Sequence, residues 1–113
     1  MTEEIELPLQ ATVKVDPGVC RLPSTIEART NGVMVEFEIL HSDCPHVRKM
    51  KNALRRMEIW EVMNMPFSDN AVYQICGKML DHSSCPVPVA MIKCAEAAAE
   101  LALKKSMFVE FVD

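Results

Sequence analysis

The chain has 113 residues, half of them apolar, a formal charge of −4 and five cysteines. That length suits one domain with its own core, since folding should hide roughly two-thirds of the unfolded surface. The acidic balance argues against a general nucleic-acid binder, which is normally basic, and no apolar run approaches the roughly 20 residues a bilayer-crossing helix needs.

In chain order, residues 1–10 read as a flexible leader, acidic and without the basic start and apolar run of a secretion signal. The cytoplasm is therefore the expected location. There, an odd number of cysteines reads as thiols for metal or redox chemistry, or as core packing, before it reads as a disulfide framework. Residues 11–113 are expected to form a single α+β domain. A first strand over 11–16 stops at the turn pair Pro17-Gly18, and a second covers 24–30. Asn31-Gly32 is a two-residue hairpin signal. The strand over 33–40 is the clearest, with Val35, Phe37 and Ile39 alternating against Met34, Glu36 and Glu38.

The period then changes. Val47, Met50, Ala53, Leu54 and Met57 fall at helical spacing and predict a helix over 45–57. Its basic residues, from Arg48 to Arg56, read as a solvated face. A short helical turn over 60–65 closes at Pro66, and a helix to about Leu80 follows, capped by Ser68 or Asp69. The longest helix is predicted over 86–104, ending in Lys104-Lys105, whose charges suit a helix C-terminus. Phe108, Glu110 and Val112 alternate with Val109 and Phe111, a final strand over 107–112. An antiparallel sheet of three N-terminal strands plus a C-terminal one, with about three helices on one face, is the layer arrangement this order implies.

Cys44-Pro45 and Cys85-Pro86 repeat one local design. Proline suits the first position of a helix, because its missing N–H would go unpaired there anyway. Each cysteine is thereby expected at a helix N-cap, where free N–H groups and the helix dipole favour the thiolate, the form that attacks and ligates. Cys20 follows the Pro17-Gly18 turn, at the sheet end where Cys44 is expected. Three convergent thiolates would mount zinc or an iron–sulfur cluster, with His82 or Asp43, or less directly His41 or His46, as a further ligand. Cys76 and Cys94 lie on apolar helix faces and read as core. The nine methionines read as core filling.

The order and spacing of Cys20, Cys44 and Cys85 resemble the U-type scaffold on which iron–sulfur clusters are assembled. That resemblance covers most of the chain and implies cluster or zinc binding at those three positions. The chain departs from the scaffold pattern at Arg21 and Leu22, at Asp43 and Pro45, and at Ser84. The stretch Cys85-Pro86-Val87-Pro88 resembles the CPxP helix start of small sulfur-carrier proteins, which implies a persulfide-bearing cysteine. Together with Ser42-Asp43-Cys44-Pro45 it also resembles an uncharacterised family of small proteins from anaerobic prokaryotes.

Three functions follow as expectations. The first is a metal or iron–sulfur binding module built on Cys20, Cys44 and Cys85. The second is a sulfur carrier or thiol-exchange protein with Cys85 as acceptor and Cys44 as resolving thiol, working with a partner protein in sulfur or cluster transfer. The third is an interaction protein whose cysteines fill space. An enzyme is not favoured, since the three glycines are not grouped into a phosphate-binding loop. No nucleic-acid or membrane partner is expected, and a homodimer fits the size of the chain.

Overall fold

A computed structural model describes residues 5–113. Three strands, β1 (Leu9–Val15), β2 (Ser24–Thr30) and β3 (Met34–Ser42), run antiparallel in sequence order. The two-residue strand β4 (Met57–Glu58) closes the sheet on β3. Four helices follow from β3 onward: α1 (Pro45–Lys49), α2 (Ile59–Met63), α3 (Ala71–Met79) and α4 (Val87–Ala98). The fold is α+β with a four-stranded antiparallel sheet, as the residue pattern predicts.

The alternation sets which face is buried. Ala11 and Val15 of β1, Ile26 and Ala28 of β2, and Val35, Phe37 and Ile39 of β3 point inward. They meet Met91, Cys94, Ala95 and Ala98 of α4 in one core cluster. The other face carries Lys14, Glu38 and the pair Arg29–Glu27, so it is polar and solvated, as an antiparallel sheet allows. Met50, Met57 and Met91 are fully buried fillers of that core.

One irregularity positions the site. Thr25 pairs with His41 but Ile26 pairs with Ile39, so Leu40 is an extra residue on β3. A bulge resets the alternation of its strand. Leu40 and His41 are both exposed, and Ser42 turns back inward. Its hydroxyl lies 2.8 Å from that of Ser24, a buried pair at the sheet's end.

Several elements differ from expectation. β1 begins at Leu9, so Leu9 and Gln10 of the expected leader belong to the sheet; residues 1–4 lie outside the described residues. The hairpin after β2 does not need positive φ at Asn31. Gly32 alone takes it, at 92°, while the Asn31 side chain accepts from the Val33 and Met34 N–H groups. The helix expected over 45–57 ends at Lys49, continued only by a 3-10 turn, Met50–Asn52. Met50 and Met57 do reach the core, but Ala53 between them is exposed and Met57 pairs with Val35 as a strand residue. Helical spacing thus came from two elements bending around one core.

α3 is capped by Asn70 and not by Ser68 or Asp69, which lie in the 3-10 turn Phe67–Asp69. α4 stops at Ala98 rather than near Lys104, because Glu100 adopts φ 62°. There the Glu100 N–H donates to Ala97 and the Leu101 N–H to Glu96, the paired bonds of a Schellman ending. The strand expected over 107–112 is not formed. That segment has no regular structure and is exposed, and β4 supplies the fourth strand at the opposite edge from β1.

Candidate functional site

The ends of β1 and β3, the loop after β1, and the turn between α3 and α4 meet at one end of the sheet. They enclose a cleft of about 400 Å³ lined by Cys20, Cys44 and Cys85 together with His46, Asp81 and His82. The packing of α4, which spacing alone leaves open, is what brings Cys85 to the other two.

Each cysteine is delivered by local chemistry. The Asp16 carboxylate accepts from the Gly18 N–H at 2.9 Å, and Gly18 takes φ 82°. The Arg21 N–H then bonds the Gly18 carbonyl, with Arg21 itself at φ 58°. This tight turn leaves Cys20 exposed at the cleft. Cys44 is the N-cap of α1 with Pro45 behind it, as expected. Its N–H donates to the Ser42 hydroxyl at 3.1 Å, and Arg48 donates to the Ser42 carbonyl. The bulge at Leu40 therefore acts on Cys44 through Ser42.

Cys85 sits one position outside its expected place. Pro86 is the N-cap of α4, and the Cys85 N–H closes a turn onto the His82 carbonyl at 3.2 Å. The thiol is half-buried. Burial pushes its pKa up; the Val87 N–H directed at the sulfur pulls the other way, and the charges of Cys44, Cys20 and Asp81 push it up further. The lowered value expected of a helix-start cysteine is thus overturned at Cys85. One N–H does not outweigh desolvation plus three neighbouring acidic groups.

The four residues Cys20, Cys44, Cys85 and His82 come together, whereas Asp43 and His41 do not line the cleft. Asp43 instead pairs with His41 at 3.1 Å on the exposed end of β3. Cys76 and Cys94 are buried, as expected of core thiols, and burial raises them to about 12 and about 11. One residue that the sequence reading passed over is central. The Asp81 carboxylate takes His82 Nδ1 on one oxygen at 3.1 Å and His46 Nε2 on the other at 3.4 Å. Its position immediately before His82 is the only sequence signal for it.

The arrangement has two chemical properties. No lysine or arginine lines the cleft among the described residues, so the thiols and Asp81 face a space without a fixed cation. Among the described residues, no three His, Cys, Asp or Glu side chains are gathered tightly enough to hold a metal ion as they stand.

An α+β domain with a three-cysteine cleft at one sheet end is the class that fold and site define. The chain belongs to a family of unknown function, DUF6951, whose pattern matches residues 11–111. No curated protein and no solved structure matches it. No helix among the described residues is long and apolar enough to cross a membrane.

Proposed function

We propose that the protein binds an iron–sulfur cluster in this cleft, with Cys20, Cys44 and Cys85 as thiolate ligands and His82 as the fourth donor. The observation that carries the reading is the delivery of three cysteines, from three segments far apart in the chain, to one cleft. A single zinc ion needs its donors about 2.0–2.3 Å from one centre. Cluster cysteines bind different irons and so span a wider space. A lining of three thiols and the Asp81 carboxylate, with no lysine or arginine among the described residues, suits the cationic core of such a cluster. Loading releases the thiol protons, and the Asp81 carboxylate, in contact with His82 Nδ1 at 3.1 Å, orients that ring as a donor. Exposure of Cys20 suits a centre handed to a partner protein.

The Val87 N–H at the Cys85 sulfur favours a second reading, a sulfur carrier. In it, the Cys85 thiolate attacks the terminal sulfur of a donor persulfide, and the donor leaves as its thiolate. The core-filler reading fits Cys76 and Cys94 best; Cys44 and Cys85 are half-buried and also touch the core, whereas Cys20 is exposed.

Anaerobic reconstitution with iron and sulfide tests the first reading. The expected outcome is visible charge-transfer absorption in the native chain that is lost in Cys20→Ala, Cys44→Ala and Cys85→Ala alike and weakened in His82→Ala. Asp43→Ala should bind as the native chain does. Persulfide found by mass spectrometry and lost only in Cys85→Ala, with no cluster formed, would decide for the carrier.

A further inference from the structure

The segment 107–112 has the apolar alternation of a strand and yet pairs with nothing. Phe108, Val109, Phe111 and Val112 are 82–93 % exposed. The molecule is drawn out to 52 Å along one axis against 29 and 28 Å along the others. Exposed apolar strands are normally paired or covered. β1 pairs with β2 on one side only, and no strand among the described residues lies on its outer side; it is the longer of the two edge strands, since β4 has two residues.

We propose that residues 107–112 of one chain add as a strand to the outer edge of β1 in a second copy, and that the second copy returns the exchange. The two incomplete features belong to one chain, so a two-fold pair completes both with a single kind of contact, the isologous arrangement of most dimers. A foreign strand on β1 would still leave the arm bare. The edge itself is chemically open. Lys104 Nζ donates to the Gln10 carbonyl at an exposed position, at 3.2 Å, and in the proposed pairing Gln10 turns its backbone outward. Antiparallel pairs alternate, and Thr12 and Lys14 therefore present their N–H and C=O groups on the same free side.

The bond from Lys104 also places the root of the arm at the head of β1. On its own edge the arm could run only toward Val15, parallel to β1. A second copy can lie antiparallel, the stronger pairing and the one this sheet uses throughout. In that arrangement Val109 and Phe111 continue the buried face of Ala11, Val13 and Val15. Glu110 then shares the open face with Lys14, an opposite-charge pairing. The strand legible in the sequence is in this way a real strand whose partner is another chain. The inference is independent of the thiol chemistry.

The test is sedimentation of the reduced full chain, with hydrogen exchange of the Thr12 and Lys14 amides. The expected result is a species of twice the 12.7 kDa chain mass, with both amides protected only at concentrations where it forms. Thr12→Pro removes one outward N–H without touching β2, as edge strands tolerate, and should weaken the dimer at least tenfold. Phe111→Asp, on an exposed residue that cannot disturb the core, should do the same. A monomer with open amides would overturn the proposal and leave the edge to a foreign strand. A monomer with protected amides would overturn it in favour of the arm closing on its own chain. A dimer indifferent to both substitutions would also overturn it.

Discussion

The five cysteines divide by burial into two chemistries. Cys94 donates to the Ala11 carbonyl at 3.2 Å from within the core, and Cys76 is equally enclosed by α3 and its neighbours. Their folded pKa values, about 11 and about 12, stand above the ordinary value of 9.0. The unfolded chain therefore loses these protons first as pH rises. The stability they contribute is complete below pH 9 and declines from there to about 11 for Cys94 and about 12 for Cys76. Each thiol should cost about 1.4 kcal/mol per pH unit in its window. Denaturant melts from pH 8 to 10.5 should show this decline, and Cys94→Ala should make it about half as steep while lowering stability at neutral pH. At pH 7 a thiol reagent should label Cys20 first and leave Cys76 and Cys94 untouched until the chain unfolds.

At the scale of the element, two helix ends carry more than their length suggests. The buried Asn70 accepts from the Val72 and Tyr73 N–H groups and donates to the Val62 carbonyl at 2.7 Å, so it caps α3 and ties it to α2. Asn70→Ala should cost about 2–3 kcal/mol, a lost cap plus a buried carbonyl left unpaired. Glu100 ends α4 in a left-handed conformation that a side chain resists. Glu100→Gly should stabilise the protein by about 0.5–1 kcal/mol with an unchanged fold. Thermal melts of the two variants check both signs. The surface pairs Arg55–Glu61 and Arg56–Glu36 are exposed ion pairs, and removing either should change stability by less than about 1 kcal/mol.

For the whole molecule, site and fold are separable at Cys20 and joined at Cys85. Cys20 sits on an exposed loop, so Cys20→Ala should keep the apo melting temperature while abolishing cluster loading. Cys85 packs against the core beneath α4, so its replacement should lower both. A guest that binds only the folded state raises stability by mass action. The loaded protein should therefore melt higher than the apo protein, and Cys20→Ala should lose that rise entirely. A rise that survives in Cys20→Ala would mean the guest is held without the loop after β1.

Much of this was legible from residues alone, because alternation and helical spacing record burial directly. Ser24–Thr30 is bounded as the pattern says, Val35, Phe37 and Ile39 are buried, and Cys44 caps a helix as its proline implies. Period fails where one apolar series serves two elements, as at Met50 and Met57. It fails also at Glu100, where helix-forming residues continue beyond a left-handed turn that spacing does not mark. The strand pattern over 107–112 is not realised within the chain, where the segment stays irregular and exposed, because a pattern states that a strand needs a partner and not where the partner is. The site divides the same way. Turn and cap chemistry marks Cys20, Cys44 and Cys85 individually, each through its near neighbours. Asp43 goes to His41 through a local contact two residues away, whereas the meeting of the three cysteines in one cleft and the pairing of Asp81 with His46 depend on how α4 lies across the sheet. So does the upward shift at Cys85. Those are sums over contacts between segments distant in the chain, and no local spacing encodes them.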